Sequence, residues 1–295
     1  MKRLLRRWGK QFLPLGVRAY LKHRLEAGPD SSLSTNSKLT EEDGRLRFTI
    51  DDSWSFLAPL DLRDYLVPFI NIPVHRTELY AIAQLSRRGG VLFDIGAHVG
   101  IFSAIFCAAQ PRNRVFSFEP SPVSRPRLEA IRALNQWEDR MSIEQVGIGA
   151  APGQLEMLID PIGGYVQTQR FEHTMWSEPQ KIQVPVETIA GAAARLQVIP
   201  DFIKIDIEGF EYEAIEGSLD FLTIHHPTLF FELHLNFLEQ RKLSPKTFVE
   251  MLGSCGYVFH SHAGALLSPK QLYDSTRAVI NFIATHPASA AAVNA

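Results

Sequence analysis

The clearest regularity along the chain is a series of short apolar runs, each followed by a segment whose apolar residues recur at helical spacing. The apolar runs predict strands at 91–94, 114–119, 141–148, 202–206 and 228–233. The segments after them predict helices at 99–109, 126–135, 212–222 and 245–255. Strands that alternate with helices are typical of a doubly wound, mostly parallel sheet, so we predict an α/β fold.

Two further apolar runs close the sheet, at 257–260 and 278–284, with no helical spacing between them. They predict an antiparallel hairpin at the sheet edge. Strands at 154–159 and 182–187 bracket a glycine-rich, aromatic stretch. Alternating residues at 47–60 predict short strands, and helical spacing at 77–87 ends at Gly89-Gly90.

These elements divide the chain into four parts. Residues 1–46 are a basic segment and a polar, turn-rich linker that begins near residue 27. Residues 47–88 lead into the core, 89–286 form the α/β domain, and 287–295 are a frayed tail.

Composition places the chain among ordinary globular proteins. It has 295 residues, of which 45% are hydrophobic and 21% charged, and a formal net charge of -2. The molecule therefore offers no general field for nucleic acid, and we expect no nucleic-acid partner. Cys107 and Cys255 lie in apolar contexts without metal-ligand spacing, which predicts buried, reduced thiols and a cytoplasmic protein.

The first 25 residues are strongly basic and contain no acid. The apolar run at 12–17 is too short for a transmembrane helix or a signal-peptide core. Two interpretations stay open: a solvated helix, or an amphipathic segment in peripheral contact with an anionic membrane.

Acidic and glycine residues at the ends of the first two strands predict a nucleoside pocket. The residues expected to contact the cofactor are Asp94, Gly96, Ala97, His98, Gly100, Glu119, Pro120 and, from the fourth strand, Asp206. A carboxylate such as Glu119 has two oxygens that can accept from the two ribose hydroxyls. The structural alternative is an exposed strand-end residue.

The position of Asp94 ahead of the glycines distinguishes between cofactors. A phosphate-binding loop avoids a carboxylate there, because the carboxylate would repel the anion. A cofactor with an ammonium and a sulfonium is attracted by it, which favours S-adenosylmethionine over NAD. The alternative role of Asp94 is to cap the helix that follows.

The segment Lys204-Ile205-Asp206-Ile207-Glu208 carries the second group of candidates. Lys204 lies inside a central strand and is expected to pair with Asp94 or Asp206, because an unpaired buried charge is costly. Asp206, Glu208 and His234, which shares its side of the strand with Glu232, are the candidate general bases. The same three residues would suit a metal, but no motif of fixed spacing supports that, and we predict no metal.

The glycine-rich stretch at 160–181 is a candidate lid over the acceptor. Its glycines allow hinge motion, and Tyr165, Phe171 and Trp176 offer faces for a sugar ring or an apolar acceptor. The alternative is a surface insertion with no role in binding.

Three stretches of the chain resemble the FkbM family of S-adenosylmethionine-dependent methyltransferases. They are the segments at 93–100 and 118–120 and the Lys-Ile-Asp-Ile-Glu-Gly block at 204–209, with Asn135 and the fifth strand in addition. The likeness extends from about residue 77 to 260. Family members usually carry Asn where this chain has His98. The resemblance implies a Rossmann-like class I methyltransferase fold with an N-terminal extension.

The expected function is therefore O-methylation of a hydroxyl on a sugar, glycan or secondary metabolite, the partner being a small-molecule or glycan acceptor. An NAD-dependent oxidoreductase is the first alternative, although the chain lacks Gly-x-Gly-x-x-Gly after its first strand. The second is a non-catalytic scaffold with a vestigial pocket that contacts membrane or glycan-assembly partners.

Overall fold

The apolar strands assemble into a central eight-stranded sheet. In the computed structural model, which describes residues 37–50, 52–167 and 178–291, the strands are β4 (Val91–Ile95), β5 (Arg114–Phe118), β6 (Met141–Glu144), β11 (Phe202–Ile205), β12 (Thr228–His234), β13 (Val258–His260), β14 (Leu266–Leu267) and β15 (Val279–Thr285). Their order is β14-β13-β15-β12-β11-β4-β5-β6. The pairs among β6, β5, β4, β11 and β12 are parallel, whereas β15 is antiparallel to β12 and β13. The predicted α/β fold with an antiparallel edge is confirmed.

Helices cover both faces of this sheet, because the buried strands are apolar on both sides. Leu92 of β4 packs with helices Pro73–Ser86, Ile101–Ala109 and Arg125–Leu134. Phe93 and Ile95 face the opposite core, with the helices Ile189–Leu196, Glu211–Glu216, Leu219–His225, Leu235–Gln240, Pro245–Ser254 and Pro269–Tyr273. The period-two alternation therefore sends Asp94 and its neighbours to different layers.

A three-stranded antiparallel sheet precedes the core: β1 (Lys38–Glu42), β2 (Arg45–Ile50) and β3 (Trp54–Ala58). The prediction of a linker up to residue 46 is wrong from residue 38 onward. Polar β1 is held by pairing with β2, whose Phe48 is fully buried. The amide of Asn135 docks β3 on the core, since it accepts from Leu57 N and donates to Leu57 O, both at 2.8 Å.

The chain leaves the main sheet after β6 and forms a second small sheet before it returns at β11. The predicted strand at 141–148 divides into β6 and β7 (Gly147–Ile148), and β7 leaves the main sheet to pair with β10 (Gln180–Glu187). β8 (Gly153–Ile159) and β9 (Val166–Gln167) complete this sheet in the order β7-β10-β8-β9. Residues 160–167 of the candidate lid connect β8 to β9 and include β9.

Other differences from the predictions are local. The helix predicted at 212–222 is two helices that meet at Gly217, where a Cβ would lie 2.4 Å from Ala150 Cα. The helix Pro269–Tyr273 lies between the closing strands, and β15 inserts between β12 and β13 rather than forming a simple hairpin. Part of the predicted frayed tail is the helix Pro287–Ala291. A short helix, Arg63–Asn71, was not predicted.

Within the described residues, no helix combines the length and the apolar character that crossing a membrane requires. The basic segment at 1–25 lies outside the described residues. Cys107 and Cys255 are free and buried, as predicted, and burial raises the pKa of Cys107 to about 12.

Candidate functional site

The predicted site residues lie at the carboxyl ends of four neighbouring strands, β5, β4, β11 and β12. β11 lies between β4 and β12, and its Lys204 is in register with Asp94 on one side and Phe230 on the other. Asp206 follows β11 directly, and His234 is the last residue of β12. Open α/β sheets place their ligands at this edge, so the topology brings the candidate residues to one crevice.

Asp94 is fully buried at the end of β4. Its Oδ2 accepts a hydrogen bond from Ser103 Oγ at 2.6 Å, and Ser103 Oγ also contacts Ser117 Oγ at 2.7 Å. Oδ1 of Asp94 has no hydrogen-bond partner among the described residues. Burial raises the pKa of Asp94, and the charge of Lys204 opposes that rise. An orphaned carboxylate oxygen in a crevice is suited to a cationic ligand.

The turn after β4 requires glycine at two positions. Gly96 has φ +78, and a Cβ there would lie 1.8 Å from the backbone oxygen of Asp206. Gly100, with φ +86, begins the helix Ile101–Ala109. Between them, Ala97 is buried and donates its N–H to the carbonyl of Phe118 at 3.2 Å. The turn therefore packs closely against the ends of both neighbouring strands.

Glu119 lies just beyond β5 and is 5% exposed, so it is not the exposed residue of the structural alternative. Its Oε2 accepts from His98 N and its Oε1 from Ser121 N, each at 2.7 Å. Burial raises the pKa of Glu119 to about 7, against the effect of these two backbone donors. The half-buried Pro120 follows and directs the chain away from the sheet.

Lys204 makes the ion pair that was expected of it. Its Nζ lies 3.0 Å from Asp206 Oδ2 and 4.6 Å from the ring centroid of Phe102. Burial disfavours its charge, but Asp206 and Asp94 outweigh burial and raise the pKa of Lys204. A permanent positive charge therefore stands between the carboxylates of β4 and β11.

His234 is buried among three glutamates. Its Nδ1 lies 2.9 Å from Glu211 Oε1, and its Nε2 lies 3.8 Å from Glu208 Oε2 and 4.0 Å from Glu232 Oε1. Burial opposes protonation, but the charges of Glu211 and Glu208 raise the pKa of His234 well above its ordinary value. Burial also raises the pKa of Glu208.

A polar chain continues behind Glu232. The amide of Asn281 donates to Glu232 Oε2 at 3.4 Å and to Glu78 Oε1 at 3.2 Å, and His75 Nδ1 lies 3.8 Å from Glu78 Oε2. Burial and the nearby charge of Asp206 raise the pKa of Glu232 to about 8. The carboxylates of this region therefore lie within the sheet layer as well as at the carboxyl ends of the strands.

The structure describes residues 160–167 and 178–181 of the candidate lid, and the first of these segments contacts the site residues. The ring of His98 stacks on Tyr165 at 4.4 Å between centroids, and His98 Nε2 donates to Gly163 O at 2.7 Å. Gln167 donates to Glu208 Oε2 at 3.1 Å. Tyr165 therefore contacts the site itself. Phe171 and Trp176 lie outside the described residues.

Sequence reasoning gave no role to Glu211. It is fully buried, and its Oε1 accepts from Ile207 N at 3.2 Å and Gly209 N at 3.1 Å in addition to contacting His234. The sequence signal that could have identified Glu211 is its position three residues after Glu208, in a turn that contains glycine. Its contact with His234 joins residues at the ends of two different strands, so no local sequence pattern predicts it.

A model of the methyltransferase FkbM domain matches residues 94–259, which is more than half of the chain. Methyltransferase sdnD of Sordaria araneosa is 23% identical over 176 residues, which cover 50% of this chain and 68% of that protein. AMB antimetabolite synthetase AmbE of Pseudomonas aeruginosa is 33% identical over 94 residues, which cover 30% of this chain and 4% of AmbE.

Solved structures are also similar to this chain. The crystal structure of methyltransferase FkbM from Methylobacillus flagellatus KT has 16% identity and a TM-score of 0.40, and the match covers 68% of this chain and 44% of that chain. The SAM-dependent methyltransferase from Agrobacterium tumefaciens has 13% identity and a TM-score of 0.42, over 88% of this chain and 73% of that chain.

Proposed function

The chain belongs to the FkbM methyltransferase domain family, and from that premise we propose that it is an S-adenosylmethionine-dependent O-methyltransferase. The acceptor is a hydroxyl of a sugar, a glycan or a secondary metabolite. The observation that supports this proposal most directly is the position of Lys204, which is in register with Asp94 of β4 and forms an ion pair with Asp206. The two carboxylates thus lie at the ends of adjacent strands, where we assign Asp94 to the cofactor and Asp206 to the acceptor.

The residues present fit the cofactor. Each oxygen of Glu119 takes one backbone N–H and keeps a further lone pair, so the carboxylate can accept from both ribose hydroxyls. The orphaned Oδ1 of Asp94 suits the ammonium of the methionine portion. The turn from Gly96 to Gly100 lets the backbone approach the ligand. When bound, the cofactor supplies an electrophilic methyl group on a sulfonium.

Glu208 is the residue that we assign as proton acceptor. Asp206 is engaged by Lys204, and His234 has one ring nitrogen tied to Glu211, whereas Glu208 receives one hydrogen bond from the neutral Gln167. Burial makes Glu208 a stronger base than an ordinary carboxylate. In this proposal Asp206 and His234 orient the acceptor hydroxyl, and residues 160–167 help to exclude water from it.

Calorimetry with S-adenosylhomocysteine tests the cofactor half of the proposal. Glu119→Ala removes both ribose acceptors and should weaken binding by about 100-fold, since each hydrogen bond to a charged group contributes about 1.5 kcal/mol or more. Glu129→Ala, which changes an exposed glutamate on the next helix, is the matched control and should bind as wild type. Equal affinities in the two variants would remove the ribose assignment.

A transfer assay with labelled methyl groups against glycans and metabolites tests the acceptor half. We expect label in an ether that resists mild base and that Glu208→Gln no longer forms. Label recovered only as an ester or an N-methyl group would overturn O-methylation of a hydroxyl. Thermal stabilisation by NADH but not by S-adenosylhomocysteine would overturn the cofactor.

A further inference from the structure

Three of the acceptor-side residues converge on one point in the crevice. One oxygen from Asp206, one from Glu232 and one ring nitrogen of His234 all lie within 4.8 Å of one another. They come from the ends of two adjacent parallel strands, so their backbone positions are fixed by the sheet. Two carboxylates and one imidazole at these separations are a ligand set for a divalent first-row cation.

The orientation of His234 leaves one of its ring nitrogens facing the crevice. Nδ1 faces Glu211 Oε1 at 2.9 Å, which places a proton on Nδ1 and leaves Nε2 as the free end of the ring. Nε2 points between Glu208 and Glu232 at 3.8 and 4.0 Å, too far for a hydrogen bond to either. A cation that binds Nε2 would take the place of a proton on this nitrogen.

The separations suit a shared cation better than a shared proton. Ligands that bind one cation at about 2.1 Å lie about 3 to 3.5 Å from each other. The observed 4.0 Å between Nε2 and Glu232 Oε1 is slightly wider, and all three separations are within 4.8 Å, so side-chain shifts of about an ångström close the site. Glu211 supplies the partner that metal-bound histidines commonly have, because it fixes the tautomer and the ring orientation.

The charge around this point also favours a cation. Carboxyl groups of Asp94, Asp206, Glu208, Glu211 and Glu232 surround the crevice, with the ammonium of Lys204 and the imidazole of His234 as the basic groups among the described residues there. Oε2 of Glu211 is buried without a hydrogen-bond partner among the described residues. The carboxyl groups therefore outnumber the basic side chains beside them.

We propose that Asp206, Glu232 and His234 Nε2 bind one divalent cation on the acceptor side of the site. Three protein ligands leave positions open, and the acceptor hydroxyl takes one of them. Its oxygen becomes more acidic on the cation, and its proton passes to Glu208, which is outside the ligand set. The cation site rests on the proposed function for the identity of the acceptor, but not for cation binding itself.

The test is a titration of the full chain with Mn²⁺, after dialysis against a chelator, followed by electron paramagnetic resonance of free Mn²⁺. We expect one saturable site per chain. Glu232→Gln, which keeps the side-chain size, should weaken binding at least ten-fold. Glu216→Gln removes an exposed carboxylate from the helix Glu211–Glu216 and should leave the affinity unchanged.

Pulsed electron paramagnetic resonance of the wild type keeps the test independent of whether a variant folds. Bound Mn²⁺ should show coupling to an imidazole nitrogen. Absence of a saturable site, absence of nitrogen coupling, or equal affinity in Glu232→Gln would each overturn the cation site and leave a protonated His234 in its place. S-adenosylhomocysteine binding by the wild type, measured separately, reports on the proposed function.

Discussion

The ring of His98 stacks on Tyr165 with centroids 4.4 Å apart, and this contact joins the turn after β4 to the segment 160–167. The same ring donates from Nε2 to the carbonyl of Gly163, while the backbone N–H of His98 binds Glu119. Burial lowers the pKa of His98 to about 4, so the ring is neutral at physiological pH. One residue therefore holds Glu119 with its backbone and the segment 160–167 with its side chain.

Replacing His98 separates these two contributions. His98→Asn keeps a residue that tolerates the positive φ of 50 and keeps the backbone donor, but it removes the ring. The lost stack and hydrogen bond are worth about 1 to 2 kcal/mol, so amide exchange at residues 160–167 should speed up roughly ten-fold. Hydrogen exchange with mass spectrometry measures this directly.

His260→Asn is the control for that experiment, because His260 bonds Thr285 at 3.1 Å in the edge strands of the sheet. It should leave exchange at 160–167 unchanged. Unchanged amide exchange at residues 160–167 in His98→Asn as well would show that the His98 ring does not stabilise this segment.

Glu119 predicts how cofactor affinity depends on pH. Its pKa is about 7 in the folded protein, and the ionised carboxylate is the better acceptor for two hydroxyls. Affinity for S-adenosylhomocysteine should therefore rise about ten-fold between about pH 6 and about pH 8, with proton release on binding at the lower pH. Calorimetry in buffers of different ionisation enthalpy measures both, and Glu119→Gln should abolish the trend.

The same shift affects folding in the opposite direction. The unfolded carboxyl ionises near its ordinary value of 4.5, while the folded one keeps its proton to about 7. The contribution of Glu119 to the free energy of unfolding is therefore largest below the unfolded pKa and declines as the pH rises to about 7. For the binding prediction, a wild-type affinity for S-adenosylhomocysteine that does not change with pH would contradict this pKa of Glu119.

Lys204 predicts a large loss of stability on substitution. Lys204→Met leaves Asp94 and Asp206 without their central counter-charge, and breaking such a buried pair costs about 3 to 5 kcal/mol. Urea denaturation measures the free energy of unfolding. Adding Asp206→Asn to the same chain should restore part of the loss, since it removes one of the two unpaired charges.

Lys246→Met is the matched control, because Lys246 forms an exposed pair with Glu250 at 3.5 Å. It should change stability by no more than about 0.5 kcal/mol. Similar losses in both lysine variants would mean that the interior pair contributes no more than a surface pair.

Gly96 and Gly253 should respond to the same substitution with opposite signs. Gly96→Ala puts a Cβ 1.8 Å from the backbone of Asp206 at φ +78, and we expect a loss of about 2 kcal/mol or more together with weaker cofactor binding. Gly253→Ala adds a Cβ with nothing within 4 Å inside the helix Pro245–Ser254, and we expect a gain of up to about 1 kcal/mol. A tolerated Gly96→Ala would mean that the turn after β4 can open.

The crevice could be located from the sequence because its main residues stand at the ends of predicted strands. Asp94, Glu119 and Asp206 each follow an apolar run, and parallel strands bring such ends to one edge. The Lys204 partner was foreseeable for a similar reason, since a strand interior offers few places for a charge. Patterns within ten residues were sufficient for these predictions.

Other features depend on contacts that no local pattern carries. Glu211 reaches His234 across 23 positions of sequence, and Asn135 reaches Leu57 across 78. Polar β1 is stabilised by pairing with β2 rather than by apolar residues of its own, so its sequence pattern is typical of a linker. β6 and β7 form one apolar run, and only the competing pairing with β10 separates them.

The excursion of the chain from β7 to β10 has a consequence for how such enzymes diversify. The part of the chain between β6 and β11 forms this small sheet, and it brings Gln167 to Glu208 and Tyr165 to His98. The glycine turn and Glu119 belong to the main sheet and its loops. Exchanging residues 147–187 between homologous enzymes should thus alter which molecule is modified while the donor pocket is inherited intact.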